Sequence, residues 1–99
     1  MWDDVKALNT SAKIVDLFAA DPKRADDFSA SALDMLFDYS KTGMDSAARA
    51  SLFELAEKTG VAAKRDAMFA GDKINETEGR AVLHTALRNL DGADVFVDG

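Results

Sequence analysis

The sequence predicts a mainly α-helical protein that carries a short two-stranded β-ribbon. Apolar residues recur at helical intervals over residues 3–19 and again over residues 45–59. Between these stretches, residues 28–39 alternate apolar and polar side chains with the two-residue period of a strand. Pro22 and Gly60 stand just beyond the helical stretches, where helices commonly end.

Residues 3–19 form the first predicted helical region. Asp3 and Asp4 suit a helix N-terminus, because the helix dipole favours negative charge there. Residues 9–11, with the sequence Asn-Thr-Ser, are weak in a helix interior and effective as caps. One long helix and two short helices that meet near Ser11 are therefore both compatible with this region.

The alternation of residues 28–39 predicts the ribbon. Alanines alternate with serines up to Ala32, and larger apolar residues alternate with Asp and Ser after it. We place the turn at Leu33 and Asp34. Because an isolated ribbon is only marginally stable, it should lie on the helices or join a sheet elsewhere.

Residues 45–59 are the clearest helix, with Asp45 as the N-cap and Gly60 as the residue that follows its C-terminus. Residues 61–69 predict a short helix closed by Gly71.

A last helix is predicted over residues 80–90, where apolar residues form one stripe: Val82, Leu83, Ala86, Leu87 and Leu90. Residues 95–97, with the sequence Val-Phe-Val, predict the start of a strand. A strand that begins so close to Gly99 suggests an N-terminal piece of a longer protein.

Composition narrows the classes of function. The 99 residues allow one domain at most, and 47% hydrophobic with 30% charged residues is typical of a folded globular chain. A net charge of −6 makes nucleic acid an improbable partner, since such binding needs a basic face. Without cysteine there are no disulfides, and no apolar run suggests export or membrane insertion, so we expect a cytoplasmic protein.

The basic residues Arg80, His84 and Arg88 are spaced to project from one side of the predicted last helix. An anion site is conceivable there, but we favour a solvated or interdomain face, because the chain is too short to close a cleft around the stripe. A lone histidine without suitably spaced partners predicts no metal site.

Other candidate catalytic groups have structural explanations. Serines occur in cap or strand contexts, and the carboxylate pairs fit solvated helix surfaces: Asp3 and Asp4, Asp26 and Asp27, Glu54 and Glu57, Glu76 and Glu78. The phosphate-loop pattern is absent from the glycines around Lys73. We therefore expect no catalytic, cofactor-binding or metal-binding residue within residues 1–99.

Three stretches carry a resemblance to a known family: "LFDYSK" (36–41), "LFELAEKTGVAAKRDAMFAGDKINETEGRAVLHTALRN" (52–89) and "VFVDG" (95–99). Together they resemble the N-terminal part of glucose-6-phosphate isomerases, also called phosphoglucose isomerases. The run over residues 71–89 is the most specific. Asp72 stands where the family usually has glutamate, and Thr42 stands where asparagine is common.

The resemblance implies an aldose–ketose isomerase of glycolysis and gluconeogenesis that interconverts glucose 6-phosphate and fructose 6-phosphate. In this family a proton moves through an enediol, with a glutamate base and no cofactor. The fold implied is a larger α/β sugar-isomerase fold of two subdomains, usually a cytoplasmic homodimer. The family's catalytic and phosphate-binding residues lie further along the chain than Gly99, and His84 is not the ring-opening histidine.

Residues 1–99 are accordingly expected to be an N-terminal segment, a single truncated domain without the catalytic subdomains. Its partner would be the remainder of the parent enzyme, and the piece alone would be structural and inactive. The alternative is an independent acidic helical protein-interaction module. We also expect the chain to self-associate through its exposed apolar residues: Val82, Leu83, Leu87, Val95 and Val97.

Overall fold

The computed structural model describes residues 1–8 and 12–97. The helices within them are α1 (Trp2–Ala7), α2 (Ile14–Ala20), α3 (Arg24–Asp27), α4 (Ser46–Lys58) and α5 (Val61–Phe69). The strands are β1 (Ser29–Ala32) and β2 (Met35–Asp38), and a 3₁₀ turn covers Ala86–Arg88. The architecture is mostly helical with a two-stranded antiparallel ribbon, which confirms the coarse prediction.

The first helical region is divided into two short helices. Helix α1 ends at Ala7, and α2 begins only at Ile14. Lys13, the residue before α2, has extended backbone angles of φ −72° and ψ 141°, which are incompatible with a continuous helix. One helix over residues 3–19 is therefore wrong, and the proposed junction at Ser11 lies outside the described residues.

The ribbon forms as predicted. Strand β1 pairs antiparallel with β2, so that Ser29 lies opposite Asp38 and Ala32 lies opposite Met35. The turn falls on Leu33 and Asp34, and Leu33 has a φ of 54° at a position where two-residue hairpins usually place glycine or asparagine.

Helices α4 and α5 begin and end close to their predicted limits. The Ala48 N–H donates to Asp45 Oδ1 at 2.8 Å, which confirms Asp45 as the cap of α4. Gly60, with a φ of 74°, separates the two helices in the left-handed conformation that glycine adopts without steric cost. Gly71, with a φ of 81°, follows the end of α5.

The predicted helix over residues 80–90 is wrong. Only Ala86–Arg88 is helical, as one 3₁₀ turn. The exposed fraction is 85% for Leu87 and 96% for Leu90, so the C-terminal part of the apolar stripe lies in water. Short helices gain most of their stability from burying an apolar face. This segment buries too little apolar surface to offset the conformational entropy that it would lose as a helix.

The strand predicted at residues 95–97 is also absent from the described part of the chain. A strand needs a hydrogen-bonded neighbour. The sheet formed by the described residues consists of β1 and β2, and residues 95–97 do not pair with it.

The chain divides into two compact units, Met1–Leu55 and Ala56–Gly99, which we call the first unit and the second unit. This division does not test the assignment of residues 1–99 to a single truncated domain, which stays a prediction. Across residues 1–8 and 12–97, no helix has the length and apolar character needed to cross a membrane.

Candidate functional site

The centre of the first unit is a buried arginine stacked on a buried phenylalanine. Phe28 has no exposed surface, and Arg24 is only 2% exposed. The Arg24 guanidinium carbon lies 4.2 Å from the centroid of the Phe28 ring and 5.7 Å from that of Phe18. Cation–π attraction to aromatic faces offsets part of the cost of removing this charge from water.

Arg24 also fixes the loop that joins β2 to α4. Its Nε donates to the Ser40 carbonyl, and its Nη2 donates to the Thr42 and Met44 carbonyls, each at 2.8 Å. The planar fork of a guanidinium suits such convergent acceptors, which a lysine could not bind together. Since Arg24 is buried and bonded to protein carbonyls, it is a structural clamp rather than an anion receptor.

A second arginine ties α4 to the ribbon. The Arg49 guanidinium carbon lies 4.3 Å from the Phe28 ring centroid, and Nη1 donates to the Asp27 carbonyl and, at 3.4 Å, to Tyr39 Oη. The Tyr39 ring lies 5.4 Å from both Phe28 and Phe37. These contacts join Arg49 of α4 to a cluster of three aromatic rings: Phe37 on β2, and Phe28 and Tyr39 just outside the two strands.

Sequence reasoning singled out neither Arg24 nor Arg49. The signal for Arg24 was weak: an arginine between Phe18 and Phe28, close to the acidic pair Asp26 and Asp27. Nothing in this spacing indicated that carbonyls from residues 40–44 would converge on it.

Ser40 and Asp38 form a hydrogen-bonded pair at the end of the ribbon. The Ser40 hydroxyl donates to Asp38 Oδ1 at 2.6 Å, and the Ser40 N–H donates to the same oxygen at 2.9 Å. The hydroxyl bond, followed by the backbone bond, lowers the pKa of the Asp38 carboxyl. Because Ser40 is 1% exposed, its hydroxyl is inaccessible to a substrate and serves the turn.

In the second unit, a tight loop occupies residues 75–80. The backbones of Asn75 and Arg80 exchange hydrogen bonds of 3.0 and 3.2 Å. Inside the loop, Asn75 Oδ1 accepts from Thr77 Oγ1 at 3.0 Å, and Asn75 Nδ2 donates to Glu78 Oε2 at 3.0 Å. The polar residues of this stretch thus define the loop itself.

Glu76 in the same loop forms an ion pair with Lys64 of α5. The hydrogen bond from Lys64 and its positive charge lower the pKa of the Glu76 carboxyl. A lowered pKa keeps this group ionised, so it suits a structural ion pair better than a general acid.

The basic stripe of the last predicted helix is not formed. Arg80 lies in the bridge with Asn75, with its Nη1 3.7 Å from Glu78 Oε2, whereas His84 is exposed in a turn and Arg88 ends the 3₁₀ segment. The prediction that Arg80, His84 and Arg88 project from one helix face is therefore wrong. The described part of the chain contains no cluster of three or more His, Cys, Asp or Glu that could hold a metal ion.

Gly71 lies against the backbone of residues 96 and 97. A Cβ atom at this position would collide with the Phe96 carbonyl oxygen. Only glycine fits here, and its presence lets residues 96–97 pass against the end of α5.

A cleft of about 470 Å³ opens beside this approach, with walls that include Phe69, Thr85, Asn89, Asp94 and Phe96. Asp94 is the titratable residue among the lining residues. The lining residues include no Lys, Arg or His, so the cleft offers no positive charge to a sugar phosphate.

Comparison with known proteins gives consistent results. The family model described as phosphoglucose isomerase matches residues 38–99. The glucose-6-phosphate isomerase of Ruegeria pomeroyi is 59% identical over 102 residues, which cover 100% of this chain and 19% of the relative. Corresponding enzymes of Cereibacter sphaeroides and Rhizobium rhizogenes are 58% and 52% identical, over 100% and 98% of this chain and 19% and 18% of the relatives. The chain thus spans about a fifth of the length of these curated relatives.

Proposed function

Because the chain belongs to the phosphoglucose isomerase family, we propose that it is a non-catalytic segment of a polypeptide that interconverts glucose 6-phosphate and fructose 6-phosphate. One observation carries this proposal. A glucose-6-phosphate isomerase matches the whole chain at 59% identity, yet the match covers only 19% of that enzyme. Four-fifths of such an enzyme is therefore available to hold the groups that act on the sugar.

The chemistry of the isomerisation favours a structural role for residues 1–99. Moving a proton between C1 and C2 through an enediol requires a positioned base and groups that stabilise the developing oxyanion. Arg24 is committed to three carbonyls, and Arg49 is committed to Asp27 and Tyr39. His84 is exposed in a turn. The two arginines maintain the segment, and an exposed histidine is poorly placed to enclose a sugar phosphate.

The other features of the family belong to the same proposal. The complete polypeptide would form two α/β sugar-isomerase subdomains, act as a cytoplasmic homodimer in glycolysis and gluconeogenesis, and need no cofactor. Its partners would be its own second copy and the sugar phosphates. The net charge of −6 on this segment disfavours nucleic acid as a partner.

A coupled isomerase assay tests the proposal on two proteins. One is the isolated 99-residue chain, and the other is a chimera in which this chain replaces the matching 102 residues of the Ruegeria pomeroyi enzyme. We expect no turnover above background from the isolated chain. We expect activity from the chimera within about tenfold of the unaltered enzyme, which is the control.

Two results would contradict the proposal. Turnover by the isolated chain that persists through repurification would show that it is catalytic by itself. A chimera that does not isomerise the sugar phosphate would show that the chain cannot replace the corresponding segment of the enzyme.

A further inference from the structure

An aspartate followed by a glycine lies in the loop between the 3₁₀ turn and residues 95–97. Asp91 and Gly92 are both exposed, and the backbone bends at Asp91. The backbone nitrogen of a glycine can attack the side-chain carboxyl of a preceding aspartate and close a succinimide ring, because glycine carries no Cβ that obstructs the approach. The local geometry determines whether this attack can occur in the folded chain.

The nitrogen that would attack is not engaged in a hydrogen bond. Within residues 1–8 and 12–97, the Gly92 N–H has no acceptor. Gly92 has a φ of 74°, and apart from its two chain neighbours no residue places an atom within 4 Å of where a Cβ would stand. A peptide nitrogen in a helix or a strand is held by its hydrogen bond, whereas this one can move towards the carboxyl without breaking one.

The carboxyl that would be attacked is held over the same bend. The Ala93 N–H donates to Asp91 Oδ1 at 2.8 Å, which closes an Asx turn across Gly92. Because the side chain bridges over Gly92, this bond keeps the carboxyl carbon near the Gly92 nitrogen, and it also withdraws electron density from that carbon. The Asp91 N–H donates to Asn89 Oδ1 at 3.3 Å, so the aspartate is oriented from both sides.

A second aspartate in this loop provides a comparison within the chain. Asp94 is also exposed, but Val95 follows it. The branched Cβ of valine crowds its own backbone nitrogen and restricts the rotation that ring closure needs. The other Asp-Gly pair of the sequence, Asp98 and Gly99, lies outside the described residues.

We propose that Asp91 is a site of spontaneous isoaspartate formation. The Gly92 nitrogen forms a bond to the Asp91 carboxyl carbon, and the departing hydroxyl takes the amide proton and leaves as water. Water then opens the succinimide at one of its two carbonyls. Opening at the side-chain carbonyl restores aspartate, whereas opening at the main-chain carbonyl leaves isoaspartate, so that the backbone continues through the former side chain. Both steps use water alone and leave every oxidation state unchanged.

Isoaspartate at residue 91 would change the chain without changing its mass or charge. The backbone is lengthened by the side-chain methylene, and a free α-carboxylate takes the place of the side-chain carboxylate. That α-carboxylate is the group that an isoaspartate methyltransferase methylates, with S-adenosylmethionine as the methyl donor. Because the reaction belongs to the chain itself, its failure would leave the proposed function untouched.

Ageing the folded 99-residue chain at neutral pH tests the proposal. Endoproteinase Asp-N cleaves before aspartate but not before isoaspartate, so loss of cleavage between Leu90 and Asp91 measures the conversion. Mass spectrometry then shows an uncleaved peptide of unchanged mass, and a peptide lighter by one water identifies the succinimide. We expect cleavage before Asp91 to be lost at least about fivefold faster than cleavage before Asp94, the internal control.

Substitutions at the two reacting residues separate this chemistry from other damage. Gly92→Ala should slow the loss of cleavage about tenfold, because the added Cβ hinders the approach of the nitrogen. Gly79→Ala alters another exposed glycine with a positive φ of 62° and should leave the rate unchanged. Asp91→Asn gives a side chain that closes the same ring with loss of ammonia, a better leaving group than hydroxide, so its conversion should be faster than that of the original chain.

The same measurement in urea tests whether the native bend permits the attack. We expect the rates in the folded and unfolded chain to agree within about threefold, since the folded loop already brings the two groups together. If the fold held the carboxyl away from the nitrogen, conversion would need unfolding and would be far faster in urea.

Three results would overturn the proposal. The first is cleavage before Asp91 that persists as long as cleavage before Asp94. The second is an equal rate of loss in the original chain and in Gly92→Ala. The third is conversion that occurs only in urea.

Discussion

The two units differ in whether a local sequence pattern forms the structure that it predicts. In the first unit, Arg24 and Arg49 hold the ribbon and the following loop against Phe28. In the second unit, two leucines of the apolar stripe that predicts a helix lie in water, Leu87 at 85% and Leu90 at 96% exposed. A local pattern becomes stable structure here when a nearby group contacts it, and stays largely irregular when none does.

The ribbon makes this contrast specific. Its own side chains are mostly exposed, including Phe37 at 67%, so burial of the ribbon does not explain why it forms. The Tyr39 N–H donates to the Phe28 carbonyl at 2.9 Å and extends the pairing to the buried phenylalanine. Anchoring at one end therefore replaces packing over a face.

Among the tests of this comparison, replacing Arg24 by Met should have the largest effect. Methionine retains much of the apolar length but leaves the Ser40, Thr42 and Met44 carbonyls without their donor. We expect a loss of about 3 kcal/mol in the free energy of unfolding of the first unit.

Urea unfolding followed by circular dichroism measures this loss. The control is Lys23→Met, which makes the same change of charge at the neighbouring exposed residue and should have little effect. Equal stability of the Arg24 and Lys23 variants would mean that the clamp does not hold the loop.

Gly71→Ala should be the next largest perturbation, and it falls in the second unit. The added Cβ collides with the Phe96 carbonyl oxygen, and the φ of 81° disfavours any L side chain. We expect a loss of roughly 2 to 4 kcal/mol from the combined strain and steric conflict.

The matched control is Gly79→Ala, where φ is 62° and no atom lies within 4 Å of the added Cβ. It should cost only about 1 kcal/mol, the backbone term alone. Hydrogen exchange at the Asp72 amide, which donates to the Ala67 carbonyl, reports both variants. Indistinguishable exchange rates would argue against a close approach of residue 96.

Acid should weaken the first unit through Asp38. Bonds from Ser40 lower the pKa of this carboxyl in the folded state, so its stabilisation is present above the ordinary carboxyl pKa of about 3.9 and is lost as the pH falls through the lower folded value. We expect Asp38→Asn to reduce stability at pH 7 and to flatten its decline below pH 4.

Urea midpoints measured between pH 2 and pH 7 give this dependence. Asp34→Asn, which removes a carboxylate from the ribbon turn, is the charge-matched control. If both variants flatten the decline equally, general charge rather than the Ser40 bonds causes the acid sensitivity.

Leu87→Ser should have the smallest effect and completes the comparison. Because Leu87 is 85% exposed, the change in the free energy of unfolding should stay within about 0.5 kcal/mol. Phe28→Ala, in the buried centre of the first unit, should by contrast cost about 3 to 5 kcal/mol. A large loss at Leu87, measured in the same urea experiment, would show that the leucine stripe is packed in solution.

The sequence by itself determined the elements whose signals are local. Asp45 at the start of α4, Gly60 at its end and the alternation of residues 28–39 each act over a few residues, and the structure shows the cap, the left-handed glycine and the ribbon where they were predicted. The prediction that no catalytic, cofactor-binding or metal-binding residue lies in the chain stays a prediction.

Only the tertiary structure decided the features that depend on distant residues. Arg24 and the Ser40 carbonyl are 16 positions apart, and no short-range pattern relates them. The helix predicted over residues 80–90 is wrong for a related reason. Its apolar residues have the helical period, but Leu87 and Leu90 remain exposed because no other element of the described chain covers them. Hydrophobic periodicity states which face a segment would bury, but contacts between elements determine whether that face is covered.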